Sequence, residues 1–436
     1  MTPYRDCWRL AWPLILANLS VPLLGLVDTA VVGHLPEPHF LAATALGALV
    51  MSVLYFLFGF LRMGTTALVA QALGARDAVE QRAVPIRALL VAGTLGLLLI
   101  ALSPLVLWAC DLVFAPAPAV AEGLRTYVLI RIFGAPAALG SFVALGWFLG
   151  VLDSRRPLLL LVLTNAINAA LAIGLVWGLG LGVAGAATAT LIAELAGFAA
   201  GVALVLQRWR GLPWPPRSAV LQRSRFVRLL VVNRDLFLRS LMLETVFVAF
   251  SALGSRQGEI VLAANAVLMN FFTFSAYGLD GFAHAAEAMI GKAVGARDVP
   301  AFRAAARAGF GLAAVLAVLM TLAFWQAGPA LVGLMTDIPT VLETALRYLP
   351  FAAVLPAVSI WAFVFDGIFF GATRTAELRN AMLATLLVFA GLAAVLPGAY
   401  GNTGLWTAFL VFLAARAVFL GLIYWRADAG AAFARG

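Results

Sequence analysis

Cysteine is nearly missing from this sequence. Cys7 and Cys110 are its two thiols and fall near opposite ends of the apolar runs, so they supply neither a disulfide framework nor a thiolate metal cluster. Histidine is as sparse: His34, His39 and His284 show no ligand spacing, so no metal site and no cofactor are expected. Charge is scarce too. Only 11% of residues are charged while 64% are hydrophobic, and no soluble fold can bury that much apolar surface. The chain therefore reads as a polytopic membrane protein. Lysine is reduced to Lys292, so arginine carries the net charge of +9. Those arginines lie mostly between the apolar runs and mark topology rather than a nucleic-acid surface. Alternating segments of about ten residues, the mark of a membrane barrel, are absent.

What is present is a series of long apolar runs. At about 20 residues per crossing they give about twelve helices, six between residues 10 and 206 and six between 236 and 425. The expected fold is all-α, with two pseudo-symmetric six-helix lobes at 1–206 and 236–436. An arginine-rich cytoplasmic linker at 207–235 joins them, with Trp209 and Trp214 as interfacial anchors. The first run is too long for a cleavable signal core and is expected to remain as the first helix. Alternate loops differ in arginine: Arg76, Arg82, Arg155, Arg156 and the linker fall on one side, whereas the other side, including 33–40, 178–182 and 397–403, is nearly free of it, with Arg125, Arg256 and Arg347 as the exceptions. That bias places both termini in the cytoplasm of a bacterial inner membrane.

The halves repeat one another. LAATA at 41–45 answers LAANA at 262–266, GARD at 74–77 recurs at 295–298, and Gly146 and Gly150 answer Gly367 and Gly371, all 221 residues apart. Six helices per repeat is an even number, so both halves enter the membrane in the same direction. Parallel repeats of this kind are a transporter architecture that works by alternating access. The ionisable residues do not repeat: Asp28 falls opposite Ala249, Asp280 opposite Gly59, Glu287 opposite Thr66 and Asp366 opposite Leu145.

Asp28 is the one charge between residues 10 and 33. An ionised carboxylate there costs roughly 2.5–3.5 kcal/mol on insertion scales, and desolvation favours its neutral form. It reads as a proton-loading group on a transport path or as a carboxyl hydrogen-bonded between helices. Asp280, His284 and Glu287 stand at i, i+4 and i+7 on one helix face, either a substrate or proton site or a self-satisfied network. Asp366 is placed to attract a cationic substrate. Arg62 and Arg131 are candidate counter-ions, with Glu194 and Glu244 as weaker carboxylate candidates. No clustered nucleophile and base appears, so an enzyme is not expected.

Four stretches carry a resemblance: LAWPLILANLSVPLLGLVDTAVVGHL at 10–35, FLRMGTTALVAQALGARD at 60–77, AYGLDGFAHAAEAMIGKAVGARD at 276–298, and FDGIFFGATR at 365–374. They resemble the multidrug and toxic compound extrusion (MATE) family in its DinF-like branch. The resemblance implies export of small amphipathic or cationic compounds against inward proton or sodium flow, by a chain sufficient as a monomer in the lipid bilayer. It makes Asp28 the coupling carboxyl, with Asn168 and Thr190 at the family's polar positions; Asn165, about one turn before Asn168, joins them by its spacing. Pro13, or else Pro22, is then the hinge of the first helix. Many relatives carry a second aspartate where this chain has Ala172, which favours proton over sodium coupling. A lipid-linked flippase of the same superfamily is the remaining alternative.

Overall fold

The computed structural model describes residues 2–33, 37–427, 431 and 433, with backbone alone for 21–30. Among them every regular element is helical. In chain order these are α1 (Pro3–Gly33), α2 (Pro38–Leu57), α3 (Phe60–Gly74), α4 (Glu80–Ala101), α5 (Ser103–Phe114), α6 (Pro118–Ile132), α7 (Ala135–Gly150), α8 (Arg155–Ala172), α9 (Gly182–Arg208), α10 (Arg217–Val220), α11 (Arg223–Ser255), α12 (Glu259–Gly295), α13 (Val299–Met335), α14 (Pro339–Ala353), α15 (Leu355–Gly371) and α16 (Thr375–Arg426).

Proline punctuates them. Pro38, Pro104, Pro118, Pro136, Pro339 and Pro356 sit at the first or second helical position, where the missing N–H leaves no bond unmade. Pro136 and Pro356 restart two spans after a bend, 51° between α6 and α7 and 43° between α14 and α15. The two bends fall at matching places in the repeats. Among the described residues eight helices are long and apolar enough to cross a membrane, and ten if each bent pair is one span. The last of the eight, α16, is two helices joined at Gly401, whose φ of +57° and ψ of −136° are non-helical. Counting its halves separately and adding α1 assigns one helix or bent pair to each of the twelve spans read from sequence.

The repeated GARD motif has a local cause. Arg76 and Arg297 both take left-handed backbone, with φ of 57° and 55°, which ends the preceding helix. The aspartate that follows then caps the next one. The Asp77 carboxylate accepts from the Glu80 N–H at 2.9 Å, and Asp298 accepts from the Ala301 N–H at 2.9 Å.

The chain divides into two compact units. One comprises Met1–Asn18, Ala70–Arg76 and Leu230–Gly436; the other comprises Leu19–Val69 and Asp77–Leu229. The first unit thus takes in two pieces of the amino-terminal half. Its core is aromatic, with Phe250, Trp406, Phe409 and Phe412 fully buried, and it is pinned by a reciprocal Asn265–Asn402 amide pair at 2.8 Å. The start of α1 belongs to it because Gly281 lets the helix approach: a Cβ there would lie 3.1 Å from the Ala11 carbonyl oxygen. Asn18 Nδ2 also donates to the Tyr277 carbonyl at 3.2 Å. The second unit packs around Ala43, Met51, Tyr127, Val128 and Val183. Within it, Arg87 holds the segment before α11 by donating to the Val220 carbonyl at 3.0 Å. Cys7 and Cys110 are both free and buried.

Candidate functional site

Two polar regions emerge, one in each unit. In the second unit the carboxyl-terminal end of α1 meets α8 and α9. Val31 and Val32 pack with Ala172, Val176, Ala186 and Ala189, all at most 3% exposed. The chain beyond Ala172 widens into a π-helical turn, Ile173–Gly178, of the kind frequent at functional sites. From that turn Trp177 Nε1 donates to the Val31 carbonyl at 2.9 Å. This carbonyl lies in the last turn of α1, where the helix supplies no partner of its own. Trp177→Phe, which keeps a ring and removes the donor, is expected to cost about 1 kcal/mol, read as a lowered unfolding temperature of the purified protein.

This apolar cluster fixes the register of three helices. Asp28 lies one turn before Val32 on α1, Asn168 one turn before Ala172 on α8, and Thr190 one turn after Ala186 on α9. Asn168 and Thr190 are buried, the Thr190 hydroxyl donating to the Ala186 carbonyl at 3.0 Å, and Asn165 is half-buried. The side chains of Asp28 and Pro22 lie outside the described residues. The helix α1 runs unbroken through both prolines, and Pro13 is buried. One turn beyond Thr190, Glu194 pairs with Arg131 at 3.0 Å, and the Arg131 guanidinium lies over the Tyr55 ring at 5.9 Å. Arg131 is thus a counter-ion.

In the first unit the carboxylates are gathered by arginines that sequence reading missed. Asp366 Oδ2 accepts from Arg239 on α11 and from Arg416 on α16, and all three side chains are buried. Asp280, half-buried on α12, acts electrostatically on Arg416 as well. One turn along the same helix, His284 Nδ1 stands 3.5 Å from Oε2 of Glu287, two turns along, with Glu287 fully buried. The signal for Arg239 and Arg416 was in the sequence: an arginine inside an apolar run is as costly as a carboxylate and calls for a partner. Among the described residues no three His, Cys, Asp or Glu side chains gather as a metal site.

A family model described as MatE matches the chain twice, over residues 13–174 and 236–396. The chain is 43% identical over 425 residues to DNA damage-inducible protein F of Escherichia coli strain K12, covering 97% of this chain and 92% of that one. Two solved structures share the fold. A MOP superfamily transporter from Pyrococcus furiosus superposes with a TM-score of 0.90 at 19% identity, covering 99% of this chain and 97% of its own. The Vibrio cholerae MATE transporter VcmN in its bent form gives 0.85 at 20% identity, covering 98% and 97%. Members of this family are transporters and not enzymes. With both halves matched and a relative 43% identical along nearly its whole length, the chain belongs to the MatE family of membrane transporters.

Proposed function

We propose that the chain is a proton-coupled antiporter that exports small amphipathic, often cationic compounds by alternating access, with Asp28 as its protonation switch. One observation carries the reading. The packing of Val31 and Val32 against α8 and α9 puts positions 28, 168 and 190 at one level on three neighbouring helices. A lone carboxyl at that level favours its neutral form and can trade a proton for a cation. Protonation from outside removes the charge that holds a cationic compound, and deprotonation toward the cytoplasm resets it. Ala172 stands where many relatives carry a second carboxylate that would serve sodium, and the loss of that oxygen ligand favours the proton as the coupling ion. Pro13 and Pro22 each leave a backbone carbonyl of α1 without its helical donor, which lowers the cost of bending there. The arginine bias puts both termini in the cytoplasm of a bacterial inner membrane, and two repeats in one chain suffice for a monomer to transport. Asp280, His284, Glu287 and Asp366 form the charge network of the other unit and are not assigned the proton.

The test is efflux of a fluorescent cationic dye from proteoliposomes, with proton and sodium gradients imposed separately. Proton-driven efflux abolished by Asp28→Asn is the expected result. Sodium-driven efflux overturns the ion, and proton-driven efflux that survives the substitution moves the switch to Asp280 or Glu287. No efflux under either gradient points to an anionic lipid-linked cargo instead.

A further inference from the structure

The first unit carries a groove that the transport reading does not use. It is an opening of about 740 Å³ between α13, α15 and α16, a size typical of ligand sites. The helices fail to close there because their facing residues are small: Ala357 on α15, and Ala414 and Ala417 on α16. Aromatic rings make the wall. Phe310 lies 5.8 Å from Trp361 and 5.0 Å from Phe365, and Phe365 lies 5.7 Å from Tyr424, forming a continuous apolar strip. Trp361, Val418 and Trp425 on this strip are exposed, so on membrane-spanning helices they face acyl chains.

The charge on the wall is of one sign. Among the described residues Arg307 is the single ionisable cation or anion of ordinary pH lining the groove. It lies near the beginning of α13, beside the last turn of α16 where Tyr424 and Trp425 stand. The Arg307 Nε donates to the Arg303 carbonyl of its own helix at 3.3 Å, which holds the guanidinium in place and leaves its charge uncompensated by that bond. The Tyr424 hydroxyl is within electrostatic range of both Arg303 and Arg307. A trough that is apolar along its length and cationic at one end fits an anionic amphiphile. A cationic compound meets Arg307 unfavourably, and a free phosphate has no use for the trough.

We propose that this groove binds one anionic phospholipid, its phosphate at Arg307 and an acyl chain along Phe310, Trp361 and Val418. Guanidinium and phosphate form charge-assisted hydrogen bonds, Trp425 sits at headgroup depth, and the alanines leave room for the chain. The arginine bias of the loops puts this end in the cytoplasmic leaflet. The site rests on the helices lying in a bilayer and not on the coupling ion.

Native mass spectrometry of delipidated protein, titrated with phosphatidylglycerol and phosphatidylcholine of matched chains, reads the site directly. The expected result is one retained phosphatidylglycerol, held about fivefold tighter than phosphatidylcholine. Arg307→Ala should level the two lipids, Arg307→Lys should keep most of the preference, and Ala414→Trp, at an exposed position, should fill the trough and weaken both. Asp28→Asn should bind lipid as the wild type does, so the outcome is independent of the transport proposal. Equal retention of the two lipids by the wild type overturns the site. So does a preference that survives Arg307→Ala, or retention indifferent to Ala414→Trp in a variant that melts like the wild type.

Discussion

Asp366→Ala is expected to destabilise the protein by about 3–5 kcal/mol, enough to lower its yield from membranes and its unfolding temperature in detergent. The cause is what the substitution leaves behind. Arg239 and Arg416 both donate to Asp366 Oδ2, and their side chains are 7% and 3% exposed. Without the carboxylate two guanidiniums remain in a low-dielectric interior, and neither can lose its proton to escape the cost. Asp366→Asn keeps an acceptor oxygen and should fall between wild type and alanine. The apolar set Asp366→Leu, Arg239→Met, Arg416→Leu should recover most of the loss, because a buried ion network replaced as a whole can be nearly neutral. A double-mutant cycle on Asp366→Ala and Arg239→Met separates the pair from the packing: the second substitution should relieve part of the first. Additive losses would show that Asp366 is not held by these arginines. The same geometry changes what Asp366 can do. A carboxylate already shared by two cations has little charge to offer a third, so its reading as an attractor of cationic substrate loses its electrostatic basis.

The spans, the repeat and the family were legible because each is a one-dimensional property. Hydropathy fixes where helices cross, prolines mark where they start, and an offset of 221 needs no coordinates. The ion partners were not legible, since Arg239 and Asp366 are 127 residues apart and nothing local in either span names the other. The unit boundaries were hidden for a related reason. Residues 1–18 and 70–76 leave the amino-terminal half through close backbone approaches at glycine, and composition shows a glycine without showing what passes over it. At Asp28 the sequence supplied the residue and the structure supplied its level, through Val31, Val32 and the Trp177 hydrogen bond one turn away.

Gly74→Ala and Gly295→Ala should be far more damaging than their size suggests, each costing about 3 kcal/mol or more. A Cβ at Gly74 would stand 1.9 Å from the Lys292 carbonyl oxygen, and one at Gly295 would stand 1.9 Å from the Gln71 carbonyl oxygen. Gln71 and Lys292 are themselves repeat mates, as are the two glycines, so the end of α3 crosses the end of α12 with the same contact made twice. Backbone cannot swing aside as a side chain does, and a single methyl must therefore push the two helices apart. The end of α3 is also tied to the end of α15: Gln71 Nε2 donates to the Gly371 carbonyl at 2.9 Å and lies 3.2 Å from Thr373 Oγ1. A displaced α3 would strain those bonds as well. Gly93 and Gly391 are the matched controls, since each lies inside a helix with nothing within 4 Å of an added Cβ. Alanine there should stabilise by about 0.5–1 kcal/mol through lost unfolded-state entropy. Thermal unfolding of the four single variants in one detergent thus separates opposite signs for the same chemical change. A Gly295→Ala protein that melts with the controls would show that the helices do not cross at backbone contact. If it melts low and also loses dye efflux, the repeated glycine in GARD is kept for this crossing, with the arginine turning the chain and the aspartate capping the next helix.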